Sequence, residues 1–151
     1  MVMSFQGQQA KPQTESQQVV VRDFMTTKIT TFQVDQTMHD VIQILIEKRI
    51  SGGPVVDVDN HLVGVISEGD CLKQAVKGKY LNSPSLGATV SECMVTEVKT
   101  VSPNLNILDA AQMFLHLRLR RFPVVEEGKL LGQISQKDIM KAIHNLKETT
   151  W

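Results

Sequence analysis

Gly64-Val65-Ile66-Ser67-Glu68-Gly69-Asp70 decides how this chain is read, because the chain repeats it as Gly132-Gln133-Ile134-Ser135-Gln136-Lys137-Asp138. Each copy follows a short apolar run and precedes a helical pattern, so each reads as a strand ending in a small hydroxyl residue that starts a helix. A helix start has unpaired backbone N–H groups and a partial positive charge, and it attracts anions. An Asp three residues on projects back over the same mouth. A hydroxyl for phosphate and a carboxylate for paired ribose hydroxyls would suit a nucleotide. The same Ser-x-x-Asp spacing also reads as a capping box, in which the side chains satisfy the helix's own N–H groups. One copy alone favours capping; two copies at matching places in a larger repeat favour a site.

The whole chain sets limits on that reading. Its 151 residues make one domain of ordinary size, or two small halves sharing a core. Hydrophobic residues are 42% and aromatics only 5%, so the expected core is mostly Val, Ile, Leu and Met. A formal net charge of zero argues against nucleic acid or an anionic membrane as the main partner. No apolar run reaches about 18 residues, so no transmembrane helix is expected. The N-terminus lacks the basic-then-apolar pattern of a secretion signal. Cys71 and Cys93 lack metal-ligand spacing, and two thiols without an export signal favour a reducing cytoplasm. His39, His61, His116 and His144 are scattered, so no metal site is expected.

Along the chain, residues 1–18 are rich in Gln and Ser and read as a flexible or loosely docked tail. Residues 21–25 read as a short helical turn and 29–34 as a strand. Residues 37–49 read as a helix with an apolar stripe of Met38, Val41, Ile42, Leu45 and Ile46, capped by Thr37 with Asp40. Gly52-Gly53-Pro54 is expected to stop it. A buried strand over 54–58, a turn of Asp57, Asp59, Asn60 and His61, a strand over 62–67 and a short helix over 70–76 complete the first half. Residues 77–88 read as a loop. The pattern then restarts: a turn over 90–94, a strand over 98–101, and a helix striped by Ile107, Ala110, Ala111, Phe114 and Leu115, with Asn104 or Asn106 as its cap. A strand over 122–125, a Glu127-Gly128 turn, a strand over 130–135 and a helix over 138–146 follow, and the tail to Trp151 is expected to fray. In register, Val21/Val90, Met25/Met94, Asp40/Asp109, Arg49/Arg118, Pro54/Pro123, Ser67/Ser135 and Asp70/Asp138 agree, at a period of about 69 residues. One such module has too little core to be comfortable alone, and two share an interface.

This register resembles the CBS domain family, named from cystathionine β-synthase, and specifically a tandem pair, or Bateman module. The residues that carry the likeness are the lead-in turn ending in Met25 or Met94, the Pro-Val-Val strand at Pro54 and Pro123, and Gly-x-x-Ser-x-x-Asp in both halves. The resemblance implies an α+β fold: two βαββα CBS repeats related by a pseudo-twofold and packed through their sheets. The corresponding division is a tail over 1–18, repeat 1 over 19–78, a linker over 79–89, repeat 2 over 90–146 and a tail over 147–151. It further implies two clefts between the halves that take an adenine nucleotide such as AMP, ADP or ATP, or S-adenosylmethionine, as a regulatory ligand. No catalytic role and no required cofactor are implied.

Carried over residue by residue, one cleft takes Ser135 for phosphate and Asp138 for ribose. Lys137 adds charge, Thr27, Lys28, Ile29 and Thr30 line the adenine, Ile50, Ser51 and Gly52 lie opposite, and Arg120 and Arg121 reach the phosphates. The other cleft takes Ser67 and Asp70, with Thr96, Glu97, Val98 and Lys99, and Leu119 to Arg121 opposite. Glu68 and Glu97 make this second cleft more negative, and Arg120 is expected to occupy the place that Gly52 holds in the first and to crowd a base. The Ser135/Asp138 cleft is therefore the preferred one for a phosphate-bearing ligand. Alternatively, Arg118, Arg120 and Arg121 form a solvated helix end, Lys137 is an exposed first-turn residue, and Met25 and Met94 are core filler. The leading functional expectation is a nucleotide sensor that acts on a partner protein, as a homodimer. The alternative is an interaction module with empty clefts. No convergent nucleophile and base and no Walker-type loop suggest an enzyme.

Overall fold

The computed structural model describes residues 18–81 and 86–150. Residues 1–17 of the tail expected over 1–18, part of the linker and Trp151 lie outside the described residues. The element order is a 3-10 turn (Val21–Asp23), β1 (Phe32–Gln33), α1 (Met38–Lys48), β2 (Gly52–Val56), β3 (Leu62–Ser67), α2 (Glu68–Leu81), α3 (Val90–Cys93), α4 (Ile107–Leu117), β4 (Arg121–Glu126), β5 (Lys129–Ser135) and α5 (Gln136–Thr150). Among the described residues no helix is long and apolar enough to cross a membrane.

The repeat expected from sequence is visible in the pairing. β2 and β3 run antiparallel with Gly52 opposite Ser67, and β4 and β5 run antiparallel with Arg121 opposite Ser135. Both pairs carry an irregularity at the same place, between Val55 and Val56 and between Val124 and Val125. β1 pairs parallel to β2, and its counterpart in the second half is a single parallel bridge from Val101 to Val124. α1 is capped as its sequence predicts: Thr37 Oγ1 accepts from Asp40 N–H and Asp40 Oδ2 accepts from Thr37 N–H, each at 3.1 Å. α4 is capped by Asn106, whose Oδ1 accepts from Leu108 N–H at 2.8 Å, and not by Asn104.

Each half's core is completed by the other half's lead-in turn. Val21 is fully buried in the cluster of Val101, Ile107, Phe114, Phe122 and Ile134, and Val90 is fully buried in the cluster of Phe32, Met38, Val41, Val55 and Ile66. Backbone bonds seal both insertions. Val21 N–H donates to Leu105 O at 2.9 Å and Arg22 N–H to Pro103 O at 2.8 Å. Val90 N–H donates to Gln36 O at 2.8 Å and Ser91 N–H to Val34 O at 3.0 Å. The two sheets also meet at their turns, where Leu62 N–H donates to Gly128 O and Leu130 N–H to Asn60 O, each at 3.0 Å.

This exchange corrects several boundaries. The strands expected over 29–34 and 98–101 shrink to Phe32–Gln33 and to Val101 alone, because the chain there is in transit between sheets. Thr26 bridges to Gln133 before Phe32 reaches Val55, and Val95 bridges to Val65 before Val101 reaches Val124. α1 is stopped by Arg49, whose left-handed backbone (φ 57°) turns the chain, so Gly52 and Gly53 open β2 instead of ending the helix. β2 ends at Val56, and Val58, expected in the strand, is 94% exposed. α2 runs on to Leu81 through what reads as loop, and α5 runs to Thr150 through the expected tail. Ile46 and Leu115, assigned to the inward stripes, face solvent at 70% and 80% exposure, since α1 bury Met38, Val41 and Leu45 and α4 bury Ile107, Ala110 and Phe114.

Candidate functional site

The glycines of Gly-x-x-Ser-x-x-Asp mark where the lead-in segment crosses onto the opposite sheet. A Cβ on Gly64 would meet Met94 Sδ at 2.6 Å and the Val95 carbonyl oxygen at 2.8 Å, and one on Gly132 would meet the Thr26 carbonyl oxygen. Close approach of two backbones requires a residue without a side chain. The crossing brings a segment of one half over the Ser-x-x-Asp mouth of the other, and so builds a cleft from both.

At the Ser67 mouth this cleft is a cavity of about 350 Å³. Its walls are Ser51–Pro54 and Val65–Ser67 of the first half, with Val95, Glu97–Lys99, Leu119, Arg121, Pro123 and Gln133 of the second. Of the residues expected in this cleft, Ser67, Val98, Lys99, Leu119 and Arg121 line it, and Thr96 lies exposed in the same extended segment. Asp70 is 7% exposed, with its Oδ2 accepting from Ser67 N–H at 2.9 Å and from the Ser67 hydroxyl at 3.1 Å. Glu97 does stand on the wall, together with Lys99. Glu68 lines instead the neighbouring groove between α1 and α2.

Two assignments made from sequence move. Ser51 and Gly52, expected opposite Ser135, stand in the Ser67 cleft, because β2 and β3 are antiparallel neighbours and their register sets Gly52 against Ser67. Ile50, assigned with them, lines the α1–α2 groove. The residue that takes the place of Gly52 in the second half is Arg121, opposite Ser135, and not Arg120. A Cβ on Gly52 would meet the Ile66 carbonyl oxygen at 2.5 Å, so the first half keeps this spot free of side chain.

The Ser135 mouth is wired as a capping box. Ser135 Oγ accepts from Asp138 N–H at 3.2 Å and Asp138 Oδ2 accepts from Ser135 N–H at 2.9 Å. Thr27, Lys28, Ile29 and Thr30 run between Thr26, bridged to Gln133 of β5, and Phe32 of β1. Thr27 and Lys28 are exposed, and Ile29 and Thr30 half-buried. Gln136 pins the preceding segment, donating its backbone N–H to Arg120 O at 3.3 Å and its side-chain amide to Leu119 O at 3.1 Å. Lys137 lines an outer groove with Phe24 and Met140.

Two thiols, Cys71 and Cys93, are shifted toward their protonated forms. Burial, with the Asp70 charge adding to it, pushes the Cys71 thiol up, and burial followed by the Glu92 charge pushes Cys93 up. Protonated thiols are poor nucleophiles. Glu92 is held below the usual carboxylate range by the Thr89 backbone N–H, at 2.8 Å, and then by the Thr89 hydroxyl. Sequence reasoning missed one grouping. The β2–β3 turn brings one donor atom each of Asp57, Asp59 and His61 within 4.8 Å of one another. Asp57 Oδ1 is already engaged there by the Asp59 and His61 backbone N–H groups, each at 2.9 Å, which the spacing Asp-x-Asp-x-His signals as an Asx-type turn.

Comparison with known proteins meets the same repeat. The sequence profile described as CBS domain matches residues 21–77 and again 90–145. The CBS domain-containing protein CBSX2, chloroplastic, of Arabidopsis thaliana is 28% identical over 156 residues, covering 86% of this chain and 66% of CBSX2. The CBS domain-containing protein YhcV of Bacillus subtilis is 29% identical over 120 residues, covering 79% of this chain and 81% of YhcV. The solved structure of CBSX2 in complex with AMP matches with a TM-score of 0.74 at 32% identity, over 85% of this chain and 98% of that one. With the profile matched twice and the fold shared, this chain belongs to the CBS domain family and carries the domain as a tandem pair.

Proposed function

We propose that the chain is a regulatory module that binds an adenine nucleotide in the Ser67/Asp70 cleft and reports it to a partner protein. The observation that carries this reading is the cavity of about 350 Å³ whose walls come from both halves. A ligand seated there bridges the halves, so it binds best when they sit at one relative angle and shifts the population toward that angle. The buried Asp70 supplies a carboxylate for the ribose hydroxyls, Ser67 a hydroxyl at the start of α2, and Lys99 and Arg121 positive charge on the wall. Val65, Val98 and Leu119 supply apolar surface for a base. The AMP in the related CBSX2 structure supports the adenine class.

Residue types alone favour the Ser135/Asp138 cleft for phosphate. Ser67/Asp70 is nonetheless the cleft proposed, because Ser51, Gly52 and Arg121 gather there. Output would pass through the exposed apolar faces of the helices, Ile46, Leu72, Val76 and Tyr80 on one side and Leu115 and Met140 on the other, as a homodimer and to an unidentified target. A second reading, an interaction module with empty clefts, draws on the internal bonding of both Ser-x-x-Asp pairs, which satisfies the helix starts without a ligand. Calorimetric titration with AMP, ADP, ATP and S-adenosylmethionine separates the two, using Asp70→Ala and Asp138→Ala beside the native chain. Heat that vanishes with Asp70→Ala supports the sensor and this cleft. Loss only with Asp138→Ala moves the site to the other mouth. No heat and an unchanged melting temperature with every ligand leave the interaction module.

A further inference from the structure

The cleft does not end at Ser67. A groove of about 820 Å³ opens between α1 and α2, and Ser51 and Arg121 stand on the walls of both the groove and the cleft, so these two residues border both spaces. Most of the groove is apolar, and its charged lining residues are Arg49, Arg121 and Glu68; Glu68 N–H donates to Ser51 O at 2.9 Å, and Arg49 lies two residues before Ser51 in the chain. Arg49 follows the last turn of α1 with φ 57°, a left-handed backbone that glycine adopts freely and that a side chain strains. Arg118 ends α4 with the same left-handed backbone (φ 55°), so the turn belongs to the repeat, and what sets Arg49 apart is its place on the groove wall two residues before Ser51, at the throat where groove and cleft share Ser51 and Arg121.

We propose that Arg49, with Arg121, holds the phosphate chain of a nucleoside di- or triphosphate whose base and ribose occupy the Ser67/Asp70 cleft, so that the module prefers ATP and ADP to AMP. The inference rests on the nucleotide-binding reading above. Each added phosphate brings negative charge toward two guanidinium groups opposed in the groove by the carboxylate of Glu68, while Glu97 and Lys99 stand as an opposite-charge pair of groups on the cleft wall. A guanidinium pairs with phosphate oxygens through two parallel N–H donors. AMP, which ends at its first phosphate, gains the Arg121 contact and forgoes the Arg49 one.

The test is a calorimetric titration of AMP, ADP and ATP in magnesium-free buffer on the native chain, Arg49→Gly and Asp70→Ala. Arg49→Gly suits the left-handed backbone, so its melting temperature is expected to stay level or rise, and lost affinity is not lost folding. ATP is expected to bind about tenfold or more tighter than AMP, and Arg49→Gly to remove that advantage while AMP affinity stays within about twofold. Equal affinities for AMP and ATP in the native chain, with Asp70→Ala abolishing both, would overturn this inference and leave the sensor standing. No nucleotide binding at all would overturn both. An Arg49→Gly variant that keeps the ATP preference but shifts from dimer to monomer by light scattering assigns the throat to a second copy of the chain and sinks the proposal.

Discussion

The two Ser-x-x-Asp mouths hold the same residue types and use them differently. At the second, the Ser135 hydroxyl accepts from Asp138 N–H and Asp138 answers by accepting from Ser135 N–H, the reciprocal pattern of a helix cap. At the first, the Ser67 hydroxyl donates to the Asp70 carboxylate, and the same oxygen takes the Ser67 N–H. The neighbours differ as well. Gly52 lies against Ser67, whereas Arg121 lies against Ser135 and also stands on the wall of the Ser67 cleft. A duplicated motif thus supplies two similar mouths, and the single residue beside each one distinguishes them. Charge near the motif favours the second mouth and the shape of the space in front of it favours the first, and a titration that names the working cleft decides which signal prevails.

The crossings under the two mouths should break this symmetry most strongly. The Gly132 position is hemmed in by backbone of Thr26 and Thr27, while Gly64 faces the flexible Met94 side chain as well as the Val95 carbonyl. Gly132→Ala is expected to cost about 3 kcal/mol and Gly64→Ala about 1–2 kcal/mol, read by urea denaturation, as overpacking costs where backbone cannot yield. Equal costs would mean that the two crossings are equally rigid and that the difference lies only at the mouths.

Next come the exchanged lead-in turns. Val21→Ala and Val90→Ala each delete two methyl groups from a fully buried side chain and are each expected to cost about 2 kcal/mol. Hydrogen exchange then tells which half loosens. Val21→Ala should deprotect amides of β4 and β5, and Val90→Ala those of β2 and β3. Loosening within each residue's own repeat would contradict the exchange.

Ser135→Ala should lower stability by about 1 kcal/mol through loss of the cap. Ser67→Ala should lower it less and act mainly on nucleotide affinity, measured by calorimetry. Matching stability losses with no effect on affinity would reduce both mouths to caps. The smallest expected effect is in acid. Glu92 is held low by its Thr89 bonds, so the stability it contributes is present above the ordinary carboxylate value and is lost as pH falls through its lowered one. Melting curves of Glu92→Gln should therefore lie below those of the native chain at neutral pH and converge with them in acid.

Much of this was legible from residues. Thr37 and Asp40 announce their capping box three residues apart, while the cap of α4 was narrowed only to Asn104 or Asn106, between which the Leu108 N–H bond decides. The Val55 and Val124 strands announce their burial by unbroken apolar runs. Arg49 as a helix stop was not legible, because a left-handed Arg carries no signal in a single sequence and Gly52-Gly53 looks like the obvious breaker. The helix through 77–81 was hidden by Gly78, whose low propensity is outweighed by the rest of α2. The placement of Ser51 and Gly52 could not be read without strand register, since a shift between neighbours moves a residue from one cleft to the other.

By itself the sequence determined the duplication, the α+β class and the two mouths, because hydrophobic period, turn residues and cap spacing are local signals that each half carries twice. Only the tertiary structure decided which half each lead-in turn completes and which residues meet across a cleft. Those contacts join Val21 to Ile134 and Val95 to Val65, partners far apart in the chain whose side chains are too ordinary to name one another. Their pairing follows from the free energy of filling two small cores with each other's valines and from two glycines that let the backbones cross.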